Sequence, residues 1–105
     1  MAQFDVYPNP NAASRELVPY IVDVQSRLLN QAATRLTVPL RRFTDSHAAL
    51  PRRLVPKVQV RTETFVVYAH QAAAVEARLL KKPVASLAAH AADIVGAIDA
   101  VISGV

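Results

Sequence analysis

With 105 residues and 52% hydrophobic content, the chain has room for one domain and one core, burying about 60–70% of its unfolded surface. It has no cysteine, which excludes a disulfide framework and thiolate metal sites; alanine, at 19 residues, swells the hydrophobic count while filling little core. The net charge of +4 favours nucleic acid or an acidic protein as partner.

In chain order, Gln3 to Tyr7 alternates Phe4 and Val6 with Gln3 and Asp5, a strand pattern that stops at Pro8-Asn9-Pro10-Asn11. Met1 to Pro10 lacks the basic-then-apolar pattern of a signal peptide, so a cytoplasmic location is expected. Tyr20 to Val24 is a second β-rich run, in which Asp23 reads as a buried, hydrogen-bonded carboxylate. Leu36, Val38 and Leu40 alternate again, and Pro39 predicts an edge or bulged strand there. Arg41 to Pro56 reads as a long irregular excursion. Val58 and Val60, a turn at Arg61-Thr62-Glu63, and Phe65 to Tyr68 predict a hairpin.

The period then changes. Leu87, Ala91, Ile94, Ile98, Val101 and Ile102 recur at helical spacing, predicting a helix over about residues 86–102 with Ser86 as N-cap and a tail at 103–105. The other face is small: Ala89, Ala92, Gly96 and Ala100. Asp93 and Asp99, at about 2.5–3.5 kcal/mol each in mid-membrane, argue against a membrane span. The expected fold is mainly β with one C-terminal α-helix, a single domain over residues 1–105 and an antiparallel sheet or barrel. A second copy would hide more apolar surface.

Positive charge gathers between Arg35 and Arg61, where Arg35, Arg41, Arg42, Arg52, Arg53, Lys57 and Arg61 face only Asp45. No phosphate-binding loop, dinucleotide fingerprint or histidine pair at metal spacing is present, and His47, His70 and His90 lie about 20 residues apart. No catalytic residue, metal site or cofactor is expected.

Several segments, in order, carry a family resemblance. Gln3-Phe4-Asp5-Val6-Tyr7, Val22-Asp23-Val24-Gln25-Ser26, Arg35-Leu36-Thr37-Val38-Pro39-Leu40, Leu54-Val55-Pro56-Lys57-Val58 and the Asp93-Ile94…Ala97-Ile98 helix are similar to successive blocks of CcdB toxins. The resemblance implies a CcdB/MazF-like fold related to SH3-like barrels, assembled as a homodimer. It implies a protein that binds the GyrA subunit of DNA gyrase, traps the enzyme on cleaved DNA, and is neutralised by a CcdA-like antitoxin. Toxin and antitoxin together would then bind operator DNA as a repressor.

In the family the gyrase-contacting tip is a final Trp-Gly-Ile; here those positions are Ser103, Gly104 and Val105. The lost indole costs an interface centre about 2 kcal/mol or more. Ser26, Leu28, Leu29 and Asp99 map to further gyrase contacts. Arg41, Arg42, Arg52 and Arg53 offer a basic surface for an acidic antitoxin segment. The alternatives are a non-toxic relative that binds antitoxin and co-represses its operon, and a MazF-like endoribonuclease using the arginine cluster.

Overall fold

One long strand organises the sheet. In the computed structural model, which describes residues 2–44 and 50–104, strands β1 (Asp5–Pro8) and β2 (Tyr20–Asp23) lead to β3 (Thr34–Arg42). They are followed by β4 (Lys57–Val60), β5 (Glu63–Val67), β6 (Ala73–Glu76) and β7 (Ala85–Ser86), and by helix α1 (Ala91–Ser103). All pairings are antiparallel. The order is β4-β5-β3-β2-β1-β7, with β6 added to β3, and the sheet curls into a nearly closed barrel with one C-terminal helix.

The strand alternation sets what faces inward. Val6, Val22, Val38, Leu40, Val58, Val60, Phe65 and Val67 fill the barrel, and Leu87 and Ile94 close it from the helix side. Tyr20 meets Phe65 edge-on at 5.4 Å. The opposite parity is covered too. Tyr7, Ile21 and Leu80 form a second cluster with Val18 and Val75. On β5's outer side, Val66 packs with Val55, Tyr68 and Leu50.

The structure corrects the sequence reading in four places. Pro39 is not on an edge: β3 is central, bonded to β2 throughout its Thr37–Leu40 stretch. On β3's other side, Thr34 to Thr37 pair with β6 and Leu40 to Arg42 pair with β5. The Pro39 carbonyl accepts from Tyr68 N, so its missing N–H points to that same side, at the gap where one partner gives way to the next. Arg41 and Arg42 are the end of β3, so the excursion starts at Phe43. Strands β6 and β7, whose composition is dominated by alanine and polar residues, carried no legible alternation.

The fourth correction is the helix. Residues 85–87 are held as sheet, with Asp5 opposite Ser86 and Leu87 N donating to Phe4 O at 2.8 Å. Ser86 Oγ accepts from Ala88 N at 3.2 Å, but Ser86 caps no helix: Leu87 stands at the N-cap of a 3-10 turn, Ala88–His90, and the α-helix itself begins only at Ala91. At the far end, Val101 and Ile102 are exposed instead of buried. The buried face is Ile94, Ala97 and Ala100, and Leu87 and Ile94 contribute about 1.5–3 kcal/mol each.

Candidate functional site

A polar core holds up an apolar turn. Asp23 is fully buried; its carboxylate accepts from Arg35 Nε at 2.8 Å and from Gln25 N at 3.0 Å. The Arg35 guanidinium also donates to Asn30 Oδ1 at 3.2 Å. The Gln25 amide spans the loop, giving Nε2–H bonds to Leu29 O (2.9 Å) and Thr34 O (3.0 Å) while its Oε1 accepts from Leu36 N (2.9 Å). Ser26 Oγ caps the 3-10 turn Arg27–Leu29 by accepting from Leu28 N. Leu28 on that turn is 94% exposed and Leu29 58%. The buried network thus holds the turn on which these two leucines face solvent. Gln25, Asn30 and Arg35 were missed as site-building residues, although an acid and a base set into adjoining apolar strands signal a paired burial.

Beside this network, burial raises the Tyr7 phenol above its ordinary value of 10.0; the Asp5 and Asp23 carboxylates add to the rise, and Arg35 opposes it.

The second region is the end of α1. Ser103 Oγ donates to the Asp99 carbonyl at 2.7 Å. Gly104 ends the helix at φ 70°, its N–H bonded to Ala100 O at 2.9 Å. That left-handed cap suits glycine. Asp99 is exposed near the helix end, where a carboxylate opposes the helix dipole, so the fold gains nothing from it. Val105 lies outside the described residues, as do His47 and Asp45. The helix packs chiefly on the turns Arg52–Leu54 and Ala69–Gln71; within one chain the Arg27–Leu29 turn is not among its main neighbours.

The four arginines assigned to antitoxin binding separate. Arg41 lies over the Tyr68 ring at 4.9 Å. Arg42 bonds Glu63 Oε2 at 2.7 Å and Glu16 O at 3.0 Å. Arg52 and Arg53 sit on the exposed 3-10 turn Arg52–Leu54, at the mouth of an open cleft of about 710 Å³ that neither Arg41 nor Arg42 lines. Lys57 shares that rim, its ammonium 4.1 Å above Phe43. The structure thus brings Arg52, Arg53 and Lys57 together and leaves Arg41 and Arg42 apart from them.

Among the described residues, no group of three or more His, Asp or Glu is placed to hold a metal ion, and no helix is long and apolar enough to cross a membrane. The features present suit binding: an apolar turn on a rigid base, an apolar helix end, and a cationic cleft. A family model described as CcdB protein matches residues 3–104. Comparison with curated proteins gives no match.

Proposed function

The chain belongs to the CcdB family of toxin–antitoxin toxins, and on that premise we propose that it poisons DNA gyrase by capture. In this reading it binds the GyrA subunit of DNA gyrase and holds the enzyme on cleaved DNA. The observation that carries the reading is the apolar last turn of α1, exposed at Val101 and Ile102 and ended by the left-handed Gly104, in a chain matched over residues 3–104. A solvent-facing apolar turn lowers solubility and contributes little to the fold, so a partner is its natural use.

The mechanism needs no catalytic group and no cofactor. In a homodimer two tips are presented together, which multiplies the effect of each weak contact. Gly104 ends the helix in a left-handed cap, while Ser26, Leu28, Leu29 and Asp99 supply flanking contacts. A CcdA-like antitoxin competes for the toxin with an acidic segment that folds onto the basic surface, and the two together bind operator DNA. The cytoplasm, where gyrase works, is the compartment this requires.

The test is a supercoiled-plasmid assay with gyrase from the source organism. Linear DNA should accumulate with the protein and not with a variant lacking residues 103–105 that keeps the full-length Tm. Linear DNA at the same level with the truncated protein would sink the assignment of the tip.

One observation favours a second reading. The Ser103 hydroxyl is bonded back onto its own helix, where the family carries an indole. A relative that binds antitoxin and co-represses without poisoning gyrase predicts no linear DNA at any concentration of folded protein.

A further inference from the structure

One turn places a buried phenylalanine where glycine belongs. Asp5 N donates to Ala2 O at 3.1 Å, closing a four-residue turn whose third residue is Phe4, at φ 72°. Turns with a positive φ at that position favour glycine, because a Cβ crowds the backbone there. Arg61, which shares the left-handed region at φ 58°, is exposed in the turn between β4 and β5. Phe4 is 8% exposed and belongs to the same barrel core as Val24, Leu87 and Ile94. Backbone strain of this kind persists only where the surroundings hold it, and it points to a role.

What holds it is a set of hydrogen bonds in two directions. Toward β2, the Phe4 N–H donates to Asp23 O, and Gln3 Nε2 donates to Val24 O at 3.1 Å. Asp23 and Gln25, bonded to each other, form the base of the Arg27–Leu29 turn. Toward the helix, Phe4 O accepts from Leu87 N at 2.8 Å, and Leu87 O accepts from His90 N at 2.9 Å, in the 3-10 turn that leads into α1. The Arg27–Leu29 turn and α1 are not main neighbours of each other. One peptide unit on either side of Phe4 therefore ties the supports of both.

We propose that Phe4 is a positioning residue, a strained clasp that sets α1 and the Arg27–Leu29 turn in a fixed relation. Its ring anchors the turn in the barrel, while the left-handed backbone aims the N–H at one support and the carbonyl at the other. Glycine would adopt this φ freely but would supply no anchor. The strain is local, and through it two surfaces on separate elements are presented as one rigid face. The proposal rests on the gyrase reading only for what that face meets.

Two substitutions isolate the strain. Both Phe4→Gly and Phe4→Ala lose the ring, but only glycine is relieved of the φ, so Phe4→Gly should melt at the higher temperature. Phe4→Gly folding where Phe4→Ala does not is the same result; equal Tm values, or alanine above glycine, overturn the clasp. Hydrogen exchange by mass spectrometry on the full-length protein tests the link. Phe4→Ala is compared with Val60→Ala, a truncation of the same core on β4, each at the same interval below its own Tm. Residues 24–30 and 87–103 should both exchange about tenfold faster in the Phe4 variant, and residues 57–67 no faster. Similar maps, or acceleration in one segment without the other, overturn the proposal. If Phe4→Ala does not fold, Phe4→Leu takes its place with the same pattern. In the plasmid assay the half-maximal concentration for linear DNA should rise about fivefold more for the Phe4 variant than for Val60→Ala, and an equal rise overturns the positioning role. No linear DNA with the parent protein would end the poisoning reading and leave the exchange maps to decide the clasp.

Discussion

Arg35 and the pair Arg52/Arg53 are the same residue type put to opposite uses. Arg35 is 1% exposed and bonded to a fully buried Asp23, inside a network that leaves no buried side-chain polar atom of the described residues without a partner. Arg52 and Arg53 stand in solvent on a three-residue turn. The first has a counter-charge and adds nothing to the outward field. The second pair lies at the surface, on the rim of the cleft. A count of basic residues between Arg35 and Arg61 therefore overstates the surface charge: Arg35 is neutralised inside and Arg42 is paired with Glu63.

Breaking each member separates them most strongly. Arg35→Ala strands a buried carboxylate and should lower stability by about 3–5 kcal/mol in urea unfolding. Arg52→Ala and Arg53→Ala should each stay within about 0.5 kcal/mol of the parent. The double variant Asp23→Leu/Arg35→Met should recover much of the loss, because the pair's cost of dehydration disappears with its attraction. Failure to recover would mean that the bonds to Asn30 and Gln25 matter more than the charges.

The same contrast extends to apolar residues on one helix. Ile94→Ala should cost about 2–5 kcal/mol through the cavity it leaves, and Ile102→Ala, farther along the helix and 80% exposed, should be near neutral by thermal melting. An equal loss at Ile102 would show that a second copy covers the tip.

Tyr7 sharpens the comparison with the smallest effect. Its phenol sits beside the Asp23–Arg35 pair with its proton held above the ordinary 10.0, by burial first and by Asp5 and Asp23 next. The unfolded chain loses that proton at lower pH than the folded one. The Tyr7 contribution is thus complete below about pH 10 and declines as pH rises above it. Tyr7→Phe should flatten this alkaline limb in chemical unfolding and leave the curve near pH 7 in place. An unchanged limb would assign alkaline loss to other groups.

Much of the architecture was legible because it rests on alternation. The strands around Val6, Val22, Val38–Leu40, Val58–Val60 and Phe65 announce themselves by apolar period, and the helix by its change of period. What stayed hidden depends on partners that no local window contains. Pro39 argued for an edge from its own chemistry, and only the changeover from β6 to β5 admits it to a central strand. Ser86 had the chemistry of a cap, yet sheet bonds to Asp5 and Phe4 keep the α-helix from starting there. Of the candidate site, Leu28, Leu29 and the helix end came from resemblance. The cleft did not, because its sides lie on segments far apart in sequence, Phe43 to Lys57 and Ala92 to Gly96.

The Gly104 cap has a consequence for how this protein can change. Because the helix ends on its own backbone hydrogen bond, with Val101 and Ile102 already outside the core, replacements at Val101 and Ile102 leave folding nearly untouched, whereas Gly104 is held by its left-handed φ. Selection can alter such a surface one residue at a time. At Asp23 and Arg35 a single replacement meets a deep stability valley, and only coupled changes cross it. The molecule joins a frame that tolerates little single change to a helix end whose exposed side chains tolerate much.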